Sequence, residues 1–79
     1  MIIDTNGFEI GEEIYIARYI EAIKKYEVRS IRILSFKIYE SGCYAINEYA
    51  HAKIRINNCY ELYDDCQLAC DRLNGINHD

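Results

Sequence analysis

The fold of this chain is decided by the stretch VRSIRILSFKIY, residues Val28–Tyr39. Its apolar side chains alternate with polar ones, which is the two-residue repeat of a β-strand with one buried face. Ile31 and Ile33 share one face with Arg29, whereas Leu34, Phe36 and Ile38 occupy the other, so the apolar phase changes between Ile33 and Leu34. This change predicts a long strand that bulges or bends here so that both halves face the core, as in small closed barrels.

The segment before this strand fits two structures. Gly11–Arg18 is rich in β-branched and aromatic residues, which pack well on a pleated surface and favour a strand. Ile16, Ile20 and Ile23 also fit a helical stripe, so a helix over Glu12–Tyr26 is the alternative. We expect the strand.

Two more strands are expected after Tyr39. Tyr44 and Ile46 supply the apolar repeat of the first. Lys53 and Arg55 supply a charged outer face for the second. Because Gly and Asn tolerate the positive φ of tight turns, four dipeptides are turn candidates. They are Asn6-Gly7, Ser41-Gly42, Asn57-Asn58 and Asn74-Gly75.

The end of the chain predicts one helix. Asp64 is placed to cap its N-terminus, with Gln67 three residues further on as in a capping box. Tyr63 and Leu68 have the spacing of a hydrophobic staple. The helix should end at Asn74-Gly75. The apolar stripe expected to face the sheet consists of Cys66, Ala69, Cys70 and Leu73.

Length and composition bound the class of protein. The 79 residues allow a single domain, residues 1–79, and 51% hydrophobic residues without proline are a folding composition. A net charge of -4 disfavours duplex nucleic acid, whose phosphates are bound by lysine and arginine. No export signal or stretch of about 20 apolar residues is recognisable, so we expect a soluble, cytoplasmic protein that does not enter membranes.

Two short motifs resemble a known group of proteins. Ile10-Gly11-Glu12-Glu13-Ile14-Tyr15 is similar to the opening of SH3-like barrels, and Leu62-Tyr63-Asp64-Asp65 to a strand-to-helix segment that closes them. The group consists of small barrel-plus-helix proteins of Gram-positive bacteria and their phages. The resemblance implies an α+β fold, a small curved antiparallel sheet or SH3-like barrel of four to five strands with one C-terminal α-helix. It implies no catalytic residue.

Catalytic, metal and cofactor sites are not predicted. Cys59, Cys66 and Cys70 with His51 have the ligand types of a zinc site, but the close Cys-x2-Cys pair of such sites is missing. We therefore expect these thiols to be free, buried small hydrophobes. Cys43, beside a turn, is expected to be the most exposed of the four cysteines.

The predicted function is protein binding. Eight tyrosines exceed what so small a core can bury, and tyrosine is enriched at interfaces. Together with acidic side chains they suit a basic partner surface, such as the nucleic-acid channel of a host defence protein. The protein would then be a phage or mobile-element inhibitor of the anti-CRISPR type that blocks this channel. The predicted interface residues are Glu12, Glu13, Tyr60, Glu61, Tyr63, Asp64, Asp65 and Asp71.

Two alternatives stay open. Basic residues interleaved with an aromatic one can track a single nucleic-acid strand by charge and stacking. A small nucleic-acid-binding barrel would use Lys24, Lys25, Tyr26, Arg29 and Arg32. Self-association into a homodimer through an exposed strand edge is the third interpretation, since no proline protects the edges.

Overall fold

The protein is a five-stranded antiparallel sheet with one helix. The structure, a computed structural model, describes residues 5–48 and 53–76. The strand order is β4-β3-β2-β1-β5, so β4 and β5 are the two edges. This confirms the predicted α+β class in its form of a curved sheet with a C-terminal helix. The elements are β1 (Glu13–Ile20), β2 (Lys25–Tyr39), β3 (Gly42–Asn47), β4 (Lys53–Arg55), a single 3-10 turn (Ile56–Asn58), β5 (Cys59–Tyr60) and α1 (Tyr63–Leu73).

The first two strands form a regular hairpin. β1 pairs with β2 from Glu13↔Arg32 to Ile20↔Lys25, which confirms the strand and excludes a helix over Glu12–Tyr26. The turn at residues 21–24 was not predicted, because it contains no glycine. Lys24 takes the left-handed position instead, with φ of 52°.

The predicted bulge lies in β2. The register with β3 shifts between Ile33 and Ser35, and Leu34, the extra residue, is 51% exposed. Beyond it Phe36 pairs with Ala45 and packs against the same core as Ile33. The bulge therefore keeps both halves of β2 on one core, although Leu34 itself points to solvent and does not join the apolar row.

The main core lies on one face of the sheet, which we call the inner face. On β3 the buried residues are Ala45 and Asn47, whereas Tyr44 and Ile46 are half-buried on the opposite, outer face. The predicted apolar repeat of β3 therefore has the wrong parity, because the small Ala45 is the residue placed opposite the large Phe36. The core consists of Phe8, Ile14, Ile16, Ile31, Ile33, Ala45, Ile56 and Cys59.

Helix α1 covers part of the outer face. Tyr63 packs edge-to-face on Tyr15 of β1, with ring centres 5.6 Å apart, and Cys66 and Cys70 are fully buried. The predicted stripe is therefore confirmed at its two cysteines, whereas Leu73 is exposed.

The predicted start of the helix is wrong by two residues. Leu62 is the N-cap and makes no side-chain capping bond. Asp64 lies inside the first turn, where its negative charge favours the positive end of the helix dipole. Gln67 does not reach back to the cap; its amide lies between the Tyr63 hydroxyl and the Asp71 carboxylate.

The predicted helix end is confirmed. Gly75 has φ of 79°, and the Ile76 N–H donates to the Asp71 carbonyl at 2.8 Å, which closes the last turn. The Asn74 side chain adds a second connection, because its amide accepts from the Tyr26 N–H at 2.7 Å and donates to the Tyr26 carbonyl at 2.9 Å. The end of the helix is thereby fixed to the start of β2.

Candidate functional site

The cysteines do not converge on a common centre. Cys59 pairs with Ile16 and belongs to the inner core, whereas Cys66 and Cys70 lie under α1 on the outer face. The prediction that these three are buried is confirmed. Residues 5–48 and 53–76 contain no group of three or more His, Cys, Asp or Glu that could hold a metal ion. His51 lies outside the described residues.

Burial makes these thiols poor nucleophiles. Desolvation raises the pKa of Cys66 to about 12 and that of Cys59 to about 11, and it also raises the pKa of Cys70. Since the thiolate is the reactive form, these groups are protonated and inert at neutral pH. Cys43 is half-exposed whereas the other three cysteines are buried, which confirms the prediction that Cys43 is the most exposed of the four.

The first testable consequence is selective thiol reactivity. In the folded protein at pH 8, we expect a single fast reaction with Ellman's reagent, at Cys43, and three slow ones. In denaturant all four cysteines should react at the rate of exposed thiols. Cys43→Ser is the matched variant and should remove the fast phase alone. Two or more fast thiols in the native protein would contradict the burial of the other three.

Most predicted interface residues meet where β5 leads into α1. We call this the junction surface and define it by Tyr60, Glu61, Leu62, Tyr63, Asp64, Asp65 and Leu68. Tyr60 pairs with Tyr15, against which Tyr63 packs. Glu13 lies two residues from Tyr15 on the same face of β1.

Two of the predicted interface residues are engaged elsewhere. The carboxylate of Glu12 accepts a hydrogen bond from the Glu9 N–H at 3.0 Å, in the loop before β1. Asp71 accepts from the Gln67 side chain at 3.0 Å and is only half-exposed. Five of the predicted residues therefore lie in one run of chain. Glu12 lies in the loop before β1, and Asp71 lies farther along α1, connected to Tyr63 through the Gln67 amide.

Sequence reasoning missed the apolar part of the junction surface. Leu62 is 60% exposed, Tyr63 52% and Leu68 42%. Leu68 follows Asp64 by four residues and Asp65 by three, so the three side chains share the outward side of α1. Their helical spacing is the available signal, but Leu68 also has the staple spacing to Tyr63, which predicts burial, and both side chains are exposed.

The basic residues predicted for nucleic acid are split between the two faces. Lys24 lies in the turn, Arg29 lies on the inner face, and Arg32 lies on the outer face opposite Glu13. Tyr26 packs edge-to-face on Tyr19 at 5.1 Å. The side chains of this set therefore do not form one patch.

Arg29 lines a groove at the open end of the inner face. The groove has a volume of about 360 Å³. Its walls are mainly apolar, from Ile16, Ile31 and Ile54, and Arg18 joins Arg29 at its lining. The buried Asn47 contributes a further polar side chain.

A different cluster of basic and aromatic residues lies on the outer face, away from α1. We call it the basic–aromatic face and define it by Lys37, Tyr39, Tyr44, Lys53 and Arg55. The rings of Tyr39 and Tyr44 meet edge-to-face, with centres 5.2 Å apart. The Lys53 ammonium lies 4.3 Å from the Tyr39 ring centre and 5.3 Å from that of Tyr44.

Tyr44 is the polar centre of this face. Its hydroxyl lies 2.8 Å from the Ser41 hydroxyl and accepts from Arg55 at 3.4 Å. The hydrogen bond with Ser41, followed by that with Arg55, lowers the pKa of the Tyr44 phenol. The predicted charged outer face of β4 is therefore confirmed, and strand pairing adds two tyrosines to it.

Comparisons with protein-family models, with curated proteins and with solved structures found no match to this chain. Within the described residues, none of the helical structure is both long and apolar enough to cross a membrane.

Proposed function

We propose that the protein is a non-enzymatic protein-binding module and that the junction surface contacts its partner. The observation that carries this proposal is the exposure of Leu62, Tyr63 and Leu68 beside acidic side chains. Exposed apolar residues grouped on one surface and surrounded by charged ones are typical of protein-binding sites. Tyrosine at the centre supplies a large contact area at low entropic cost.

The charge of this surface favours a basic partner. Glu61, Asp64 and Asp65 are all exposed. They flank Leu62 and Tyr63 in the chain, and Asp64 and Asp65 precede Leu68 by four and three residues on α1. Acidic side chains at an interface steer association toward a basic surface and reject acidic ones. The partner in this proposal is a nucleic-acid-binding effector of a host cell. The protein, encoded by a phage or mobile element, blocks its basic channel in the host cytoplasm.

The Tyr63 side chain is already held in place, which supports binding with little rearrangement. Tyr63 is held against Tyr15, and its hydroxyl donates to Gln67 at 3.4 Å. Side chains that are already ordered lose less entropy on association, so more of the contact energy appears as affinity.

The test is a matched pair of leucine variants. The tagged protein is used to retain partners from a lysate of a Gram-positive bacterium, the kind of host that the sequence resemblance implies. The retained protein is then purified, and its Kd is measured by titration. Leu62→Ala with Leu68→Ala should weaken binding at least tenfold, since central interface truncations cost about 1–2 kcal/mol each. Leu34→Ala is the control, because the exposure of Leu34 lies between those of Leu62 and Leu68 and it is outside the junction surface.

The acidic residues have a separate signature. Asp64→Asn with Asp65→Asn should slow association and reduce its dependence on salt, while changing dissociation little. Equal binding by the leucine pair and the wild type would contradict the proposal, and so would a partner that shows no competition with nucleic acid.

A further inference from the structure

The outer face of the sheet is only half covered by α1. The helix packs on β1, β2 and β5. After the bulge, the outward residues of β2 are the odd ones, including Lys37 and Tyr39. They adjoin Tyr44 of β3, which in turn pairs with Arg55 of β4. Within residues 5–48 and 53–76, the half of the face that α1 leaves uncovered is therefore the basic–aromatic face.

The positive charge of this half contrasts with the acidic chain as a whole. Three of the nine lysines and arginines are gathered around two rings, in a protein with net charge -4. Arg32, farther along the outer face of β2, pairs with Glu13 of β1 and lies outside this group. Glu40 lies in the turn beside Tyr39, and Glu48 follows β3, both exposed. The local balance is thus positive, and it attracts polyanions to a particular region of the surface.

The cations lie over the tyrosine rings, so phosphates can replace the rings as partners of the cations and bases can replace the cations on the rings. Lys37 and Lys53 lie 5.6 and 4.3 Å from the centre of the Tyr39 ring, and Arg55 lies 5.8 Å from that of Tyr44. Cation–π contacts at exposed sites are weak. A phosphate can therefore draw the cations away from the rings, and a nucleic-acid base can take their place by stacking.

From this arrangement we propose that the basic–aromatic face binds single-stranded nucleic acid. The cations bind phosphates, and Tyr39 and Tyr44 stack on bases. The phosphates of a duplex can bind the cations, but its bases are already stacked on one another and cannot stack on the tyrosines. An acidic peptide also satisfies only the cations. This proposal does not rest on the junction surface, which lies at the other end of the sheet order, beside β5.

The measurement is fluorescence anisotropy of a labelled oligothymidylate of about 16 nucleotides, titrated with the full chain at salt concentrations between about 50 and 200 mM. We expect saturable binding with log K falling against log salt at a slope of about -2, because each of three contacts on a single strand contributes about 0.7. Lys37→Gln with Lys53→Gln should reduce the slope to about -0.7.

A matched control separates this face from general charge effects. Lys24→Gln with Lys25→Gln removes the same charge from the hairpin end, and it should leave the slope and the affinity nearly unchanged. Tyr39→Leu should weaken binding at least about fivefold without changing the slope, whereas Tyr39→Phe keeps the ring and should restore the affinity. Unchanged thermal unfolding of the exposed lysine variants shows that folding is not the cause.

Four results would overturn the proposal. The first is no binding at the lowest salt, and the second is an equal loss in both lysine pairs. The third is equal affinity for a duplex of the same length. The fourth is competition by polyglutamate as effective, charge for charge, as that by unlabelled oligonucleotide, which would assign this face to an acidic protein partner.

Discussion

Ile31→Ala should lower the free energy of unfolding by about 3–4 kcal/mol, within the range measured for truncation of buried isoleucine. Ile31 is 1% exposed and pairs with Ile14, which is also fully buried. Both side chains lie on the inner face, where truncation leaves a cavity that the two strands cannot close. A chain of this length has a total stability of about 4–12 kcal/mol, so this loss is a large fraction of it.

Urea unfolding followed by circular dichroism provides the measurement. The midpoint should fall with little change in the slope of the transition. Ile23→Ala removes the same atoms from the hairpin turn, where Ile23 is 50% exposed, and should change stability by no more than about 0.5 kcal/mol. Equal effects of the two substitutions would show that Ile31 does not belong to the core. Ile14→Ala combined with Ile31→Ala should be non-additive, since the two residues share one cavity.

Deletion of Leu34 and deletion of Ser30 should have opposite outcomes. Leu34 is the extra residue of the bulge, so its removal leaves Ile33 and Phe36 on the inner face in regular alternation. Removal of Ser30 shifts the strand before it by one residue. Tyr26 and Val28 then turn from the helix layer to the inner face, and Arg29 turns beneath α1.

Urea unfolding should distinguish the two deletions. The protein without Leu34 should unfold cooperatively in urea, at a lower midpoint because the strand loses its local bend. The protein without Ser30 should show no cooperative transition and should lose the near-ultraviolet signal of its ordered tyrosines. Loss of cooperativity in both deletions would mean that the bulge does more than correct the phase of β2.

Patterns within one segment predicted most of the fold. The alternation of β2 predicted both the strand and its bulge, because side-chain parity is a local property of the sequence. Asn74-Gly75 predicted the end of α1, because the tolerance of glycine for a positive φ is also a local property of the sequence. The turn at residues 21–24 escaped prediction because pairing of the flanking strands holds Lys24 at a positive φ without glycine.

The surfaces show the same division between local and long-range information. Five predicted interface residues are nearly consecutive in the sequence, from Tyr60 to Asp65, so they lie together in the structure. The basic–aromatic face depends on the pairings Lys37↔Tyr44 and Tyr44↔Arg55, which link distant parts of the chain. Strand register cannot be read from the residues alone. The separation of Arg29 from Arg32 was accessible, since residues three apart on a strand face opposite ways.

The contact between Asn74 and Tyr26 also bears on aggregation. Described pairing of β2 with β3 begins only at Ile33, and no described strand pairs with the residues before it on that side. A backbone of this kind is a template on which a strand from another molecule can add. The Asn74 amide already occupies both hydrogen-bonding groups of Tyr26. An incoming strand must therefore first detach the end of the helix, so one side chain protects this part of β2 against edge-to-edge assembly.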